Sequence, residues 1–139
     1  MCPMLKDAAE RSRVMKAIRT ELEDRPEILI AYVHGSFARG EPYRDIDVAV
    51  WLDPTRLPSP GAIRYALDLA VALQIALTQP IDVQVLNEAP LSLRYHVLKG
   101  QPLLVRDGEL LHELRARTWD DYFDFLPFAR RYLREVLSA

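Results

Sequence analysis

Gly35-Ser36-Phe37-Ala38-Arg39-Gly40-Glu41-Pro42-Tyr43-Arg44-Asp45-Ile46-Asp47-Val48-Ala49-Val50 stands between two strand-like runs, and the rest of the chain is arranged around it. The apolar run Ile28-Leu29-Ile30-Ala31-Tyr32-Val33-His34 stops at Gly35-Ser36, and a second run starts at Asp45 and continues to Trp51. A polar turn bounded by glycines joins them. Successive side chains of an extended chain point to opposite faces, so Asp45 and Asp47 share one face and Ile46, Val48 and Val50 the other. One face is core and the other presents carboxylates. Two carboxylates at this spacing lie roughly 7 Å apart and repel unless a cation sits between them. A hard divalent ion such as Mg2+ answers that need, since it takes oxygen ligands and leaves room for substrate phosphates. Gly35-Ser36 supplies the complementary half, because a glycine lets backbone approach a ligand and free N–H groups at a turn or helix start favour anions.

These residues resemble the minimal nucleotidyltransferases of the DNA polymerase beta superfamily. The resemblance rests on Gly35-Ser36, on Asp45-Ile46-Asp47, on a third acid, Asp82, within Ile81-Asp82-Val83-Gln84-Val85-Leu86, and on the wording Ser36 to Gly40. The spacer from Ser36 to Asp45 is shorter than is usual there, and Arg44 replaces a common serine. The resemblance implies a polymerase beta palm-like fold and Mg2+-dependent transfer of AMP from ATP to a hydroxyl. Asp45, Asp47 and Asp82 would be catalytic and would hold two Mg2+ ions, with Gly35, Ser36 and Arg39 against the nucleotide phosphates. The tail from Leu91 to Leu137 is similar to members that accompany HEPN toxins. This implies an antitoxin whose acceptor is a tyrosine of the cognate toxin. The alternative is a binding module that neutralises its partner by occlusion.

The bounds agree with such an enzyme. The 139 residues are 50% hydrophobic and 27% charged, as expected of one globular domain, with a core over about 1–106 and a helical tail over about 107–139. A formal net charge of -2 provides no general basic field for long nucleic acid. Cys2 is the single cysteine, which fits a reducing, cytoplasmic setting, and no signal-like or membrane-spanning apolar run is expected. Gly35 to Gly40 has the glycine spacing of a P-loop, but Glu41-Pro42 stands where Lys-Ser/Thr is required.

Along the chain, Val14, Ile18 and Leu22 predict an amphipathic helix over 6–24. Pro54, Pro58 and Pro60 mark a loop, and Ile63, Leu67, Ala70, Val71, Gln74 and Leu77 predict the inner face of a second helix, stopped by Pro80. A strand over 81–86 puts Asp82 on the acidic face if it neighbours Asp47. A short helix to Leu98, a strand at 103–105 and helix from Asp107, interrupted at Pro127, complete an α/β (α+β) pattern: a small mixed sheet flanked by helices with a C-terminal helical tail. Ser36 is also suited to capping a short helix begun at Phe37. His34 reads as structural, and Tyr122, Phe123, Phe125 and Phe128 as core or interface rather than a base-stacking platform.

Overall fold

The computed structural model describes residues 4–56 and 61–138, so Cys2, Pro58 and Pro60 lie outside the described residues. Five helices and four strands alternate: α1 (Ala8–Glu23), β1 (Ile28–His34), α2 (Gly35–Ala38), β2 (Ile46–Leu52), α3 (Ala62–Leu77), β3 (Ile81–Val85), α4 (Leu91–Leu98), β4 (Pro102–Val105) and α5 (Gly108–Ser138). The sheet order is β3-β2-β1-β4. β1 runs antiparallel to β2 and β4, while β2 and β3 are parallel. A hairpin turn can join antiparallel neighbours, but a parallel pair needs a crossover, which α3 provides. The mixed sheet is thus a consequence of where the helices fall in the chain.

Both faces of the sheet are covered. On one, Ile46, Val48 and Val50 of β2 and Ile81, Val83 and Val85 of β3 pack with Ile18 and Leu22 of α1 and Leu69 and Leu73 of α3. On the other, Ile30, Tyr32, Ala49 and Leu86 are buried beneath Val97 and Leu98 of α4 and Leu111 and Leu114 of α5. The expectation of one core face and one carboxylate face is corrected here. The acidic face is polar only at one end, and two residues beyond Asp47 it becomes a second core at Ala49, which is fully buried.

The first helix matches its expected face, and Asp7 caps it by accepting from the Glu10 backbone N–H at 2.8 Å. For α3 the sequence expectation is half wrong. Ala70 and Leu77 do pack inward and the exposed Gln74 reaches β3 with its amide, but Ile63, Leu67 and Val71 face outward at 78%, 60% and 56% exposure. This helix is apolar nearly all round, so periodicity cannot choose its inner face. Polar contacts fix its rotation instead: the Tyr65 hydroxyl donates to Glu27 Oε2 at 2.6 Å and Gln74 Nε2 donates to the Ile81 carbonyl at 2.7 Å.

The helical tail is one element, not two. α5 runs through Pro127 without a break. Proline at an interior position forfeits one backbone bond and crowds a carbonyl, but its φ is helical, and water satisfies a freed carbonyl where the surface is open. Phe123 and Phe128 flanking it are 53% and 67% exposed. The tail's first part folds back on the sheet through Leu111, Leu114 and Thr118, all buried. Tyr122 stacks on Tyr95 of α4 with ring centroids 3.8 Å apart, as an interface residue. Beyond it, Phe125, Phe128, Tyr132, Leu133, Val136 and Leu137 are exposed.

Candidate active site

The site is assembled by strand register at the end of the sheet where β1 gives way to α2. In β1 and β2, His34 pairs with Asp47; in β2 and β3, Asp47 pairs with Asp82. Side chains of paired residues in neighbouring strands share a face. His34, Asp47 and Asp82 therefore form one row across three strands, on the face that carries Ala49 and Tyr32 one step further in. Asp45, two residues before Asp47, is exposed just ahead of β2.

Gly35 is required at the join. Its φ of +78° is left-handed, where a side chain is strained, and a Cβ there would overlap the Asp47 Oδ2 atom. The backbone of the turn consequently lies directly against the carboxylate. α2 begins at Gly35 with His34 as its N-cap residue and without a side-chain cap. Ser36 lies inside the first turn rather than capping a helix begun at Phe37, a correction to the capping reading.

Ser36, Asp45 and Asp47 line one open cavity of about 340 Å³, together with Pro42, Tyr43 and Arg44. Arg44, which stands where a serine is common and is not among the site residues expected from the sequence, is part of this lining. Asp82 is next to Asp47 by register but is not in that lining. Arg39 turns the other way: its Nε donates to both carboxylate oxygens of Glu41, each at 2.9 Å, and with Gly35 it borders a second cavity of about 500 Å³.

The carboxyl of Asp47 is raised above its ordinary range, first by burial and further by the charges of Asp82 and Asp45, with His34 and Arg39 opposing. An anion held this way gains from any cation placed among the three acids.

The family model for polymerase beta nucleotidyltransferases matches residues 16–109. The chain belongs to the polymerase beta nucleotidyltransferase family. No curated protein sequence matches it. Among solved structures, this nucleotidyltransferase is similar to a chain of a toxin-antitoxin crystallised with AMP-PNP, at 25% identity over 90% of this chain and 98% of the other, with a TM-score of 0.71. It is also similar to chains of an MntA-HepT toxin-antitoxin (22% identity, 92% and 99% covered, TM-score 0.69) and of a tri-AMPylated Shewanella oneidensis HEPN toxin in complex with an MNT antitoxin (23%, 93% and 99%, TM-score 0.70). At these lower identities the likeness is one of fold. The nucleotidyltransferase fold, the mixed sheet and its flanking helices agree with the reading of the sequence.

The donor chemistry of the face suits a hard divalent cation, being carboxylate oxygen alone at Asp45, Asp47 and Asp82 with a glycine that leaves space at Asp47. Among the described residues no three His, Cys, Asp or Glu side chains already converge on a single ion position, and no helix is long and apolar enough to cross a membrane.

His34, which the sequence reads as structural, and Gln84, to which it assigns no role, both lie on this face. His34 Nε2 lies 2.8 Å from Gln84 Oε1, and Gln84 Nε2 donates to Asp82 Oδ2 at 3.4 Å. Alternation alone already placed Gln84 beside Asp82, but only the register brings His34 to them.

Proposed function

We propose that this nucleotidyltransferase transfers AMP from ATP to a hydroxyl of a cognate HEPN toxin, a tyrosine being the acceptor, and thereby acts as its antitoxin. The observation that carries the reading is the Asp47–Asp82 pairing beside a glycine turn packed on Asp47. Likeness to a toxin-antitoxin with AMP-PNP and to an MNT antitoxin in complex with an AMPylated HEPN toxin supports the donor and the partner.

In this reading Asp45, Asp47 and Asp82 hold two Mg2+ ions. When bound, these supply charge neutralisation for the phosphates and stabilise both the attacking and the leaving oxygen of an in-line displacement. Gly35 and Ser36 receive the triphosphate, whose oxygens accept from the turn's N–H groups and the Ser36 hydroxyl. Arg39 reaches phosphate by exchanging its Glu41 partner, an exposed pair that is weakly held. Asp82, the most exposed of the paired acids, accepts the proton of the incoming hydroxyl. That oxygen bonds to the α-phosphorus as the bond to pyrophosphate breaks. Positioning and electrostatics account for the catalysis, so three acids and an anion-binding turn suffice once a partner brings the acceptor.

A second reading, occlusion of the toxin without transfer, is favoured by one observation: the exposed apolar end of α5. Labelled AMP transfer from ATP with Mg2+ to the protein encoded next door separates the two, using wild type and an Asp45→Ala/Asp47→Ala variant. Label on the partner that requires both acids supports transfer. Equal silencing of the partner by both proteins with no label in either supports occlusion.

A further inference from the structure

A polar bridge crosses the acidic face from β1 to β3. β1 and β3 are not neighbours; β2 lies between them, so their backbones are roughly 10 Å apart. His34 and Gln84 nevertheless meet at 2.8 Å, reaching toward each other over β2. Gln84 pairs with Ala49 and His34 with Asp47, so the bridge passes over the small Ala49 side chain. A large residue at 49 would close that path.

The hydrogen-bond directions along the bridge follow from its end. A carboxylate only accepts, so Gln84 must donate its Nε2–H to Asp82 Oδ2. The amide oxygen Oε1 then points to His34 and can only accept, which puts a proton on His34 Nε2. The chain of donors thus runs from His34 through Gln84 to Asp82. Asp82 is otherwise on an exposed edge strand, where a carboxylate paired in register with Asp47 would swing away from its like-charged neighbour.

We propose that His34 and Gln84 are positioning residues that hold the Asp82 carboxylate on the shared face with Asp47, against the repulsion between the two acids. Its metal arm rests on the reading of the three acids given above; the bridge itself does not. Groups that orient a metal-binding carboxylate commonly set its affinity tenfold or more.

The test has two independent readouts on the full chain. At about pH 8.5, above the ordinary imidazole range, nitrogen-resolved NMR of wild type is expected to show a His34 Nε2–H proton protected from exchange, lost in Gln84→Leu. A freely exchanging Nε2–H in wild type, or one unchanged in Gln84→Leu, overturns the bridge. Binding of Mn2+, used as the probe ion and followed by electron paramagnetic resonance, is expected to weaken about tenfold in His34→Phe and to stay within about threefold of wild type in His34→Gln. Gln retains a donor near the Nε2 position and Phe retains only the ring, so rescue by Gln marks positioning rather than packing. Wild-type affinity in His34→Phe, or equal loss in both variants, overturns the proposal. A wild type that binds no Mn2+ at all refutes the metal reading of the acids, and with it the metal arm; the protected proton then decides the bridge alone.

Discussion

Gly35→Ala and Gly40→Ala form a pair that isolates the contact between turn and acid. Both glycines sit in left-handed backbone, at φ +78° and +75°, so each substitution carries the same conformational penalty of roughly 1–2 kcal/mol. What the new methyl meets differs. At Gly40 it meets the end of the Arg11 side chain, which is flexible and can move aside. At Gly35 it meets the Asp47 carboxylate, which must leave its rotamer at a further cost of about 0.5–1.5 kcal/mol. Losing a glycine also stiffens the unfolded chain, offsetting about 0.4–1 kcal/mol in each case. Gly35→Ala is therefore expected to lose about 1–3 kcal/mol and Gly40→Ala somewhat less, losses that a domain stable by about 5–15 kcal/mol survives. Thermal unfolding should place both variants below wild type, within several degrees of each other. Mn2+ binding should separate them: about tenfold or more weaker in Gly35→Ala, because Asp47 has moved, and near wild type in Gly40→Ala. Equal weakening in both, or wild-type affinity in folded Gly35→Ala, refutes the reasoning.

Arg106 donates from Nε to the Ile28 carbonyl at 2.7 Å and from Nη2 to the Glu23 carbonyl at 2.6 Å, closing the C-terminal end of α1 against the sheet. Arg106→Met keeps the stem and loses these bonds, and denaturant unfolding is expected to show a loss of about 2–4 kcal/mol; an unchanged midpoint contradicts this role. Thr78 ends α3 in left-handed backbone at φ +50°, so Thr78→Gly should raise stability by about 0.5–1 kcal/mol, and a lower melting point would count against that strain. The Asp47 carboxyl is raised by burial above all, so the folded chain binds its proton more tightly than the unfolded chain, and stability falls as pH rises through that raised value. In metal-free buffer Asp47→Asn should thus be more stable than wild type near pH 7 and lose the advantage in acid below the ordinary aspartate range. A variant less stable near neutrality would reverse the sign and reject the account.

Much of this protein is legible in one dimension because its elements are short-range events. The abrupt end of an apolar strand at Gly35, the alternation of Ile46, Asp47 and Val48, and the period of Val14, Ile18 and Leu22 depend only on the geometry of strand and helix, and these residues sit where alternation and period place them, whereas Asp45 lies just ahead of β2 rather than in it. Tertiary structure decided what periodicity leaves degenerate. An all-round apolar α3 could present either stripe, and Tyr65 and Gln74 chose. Pro127 could end a helix or sit within one, and open surface around it allowed the second. Above all, alternation assigns a residue to a face but never to a partner across the sheet. That His34, Asp47 and Asp82 share one row is a fact of strand order and register, set by packing between segments far apart in the chain, and it is the reason His34 carries no signal in the sequence alone.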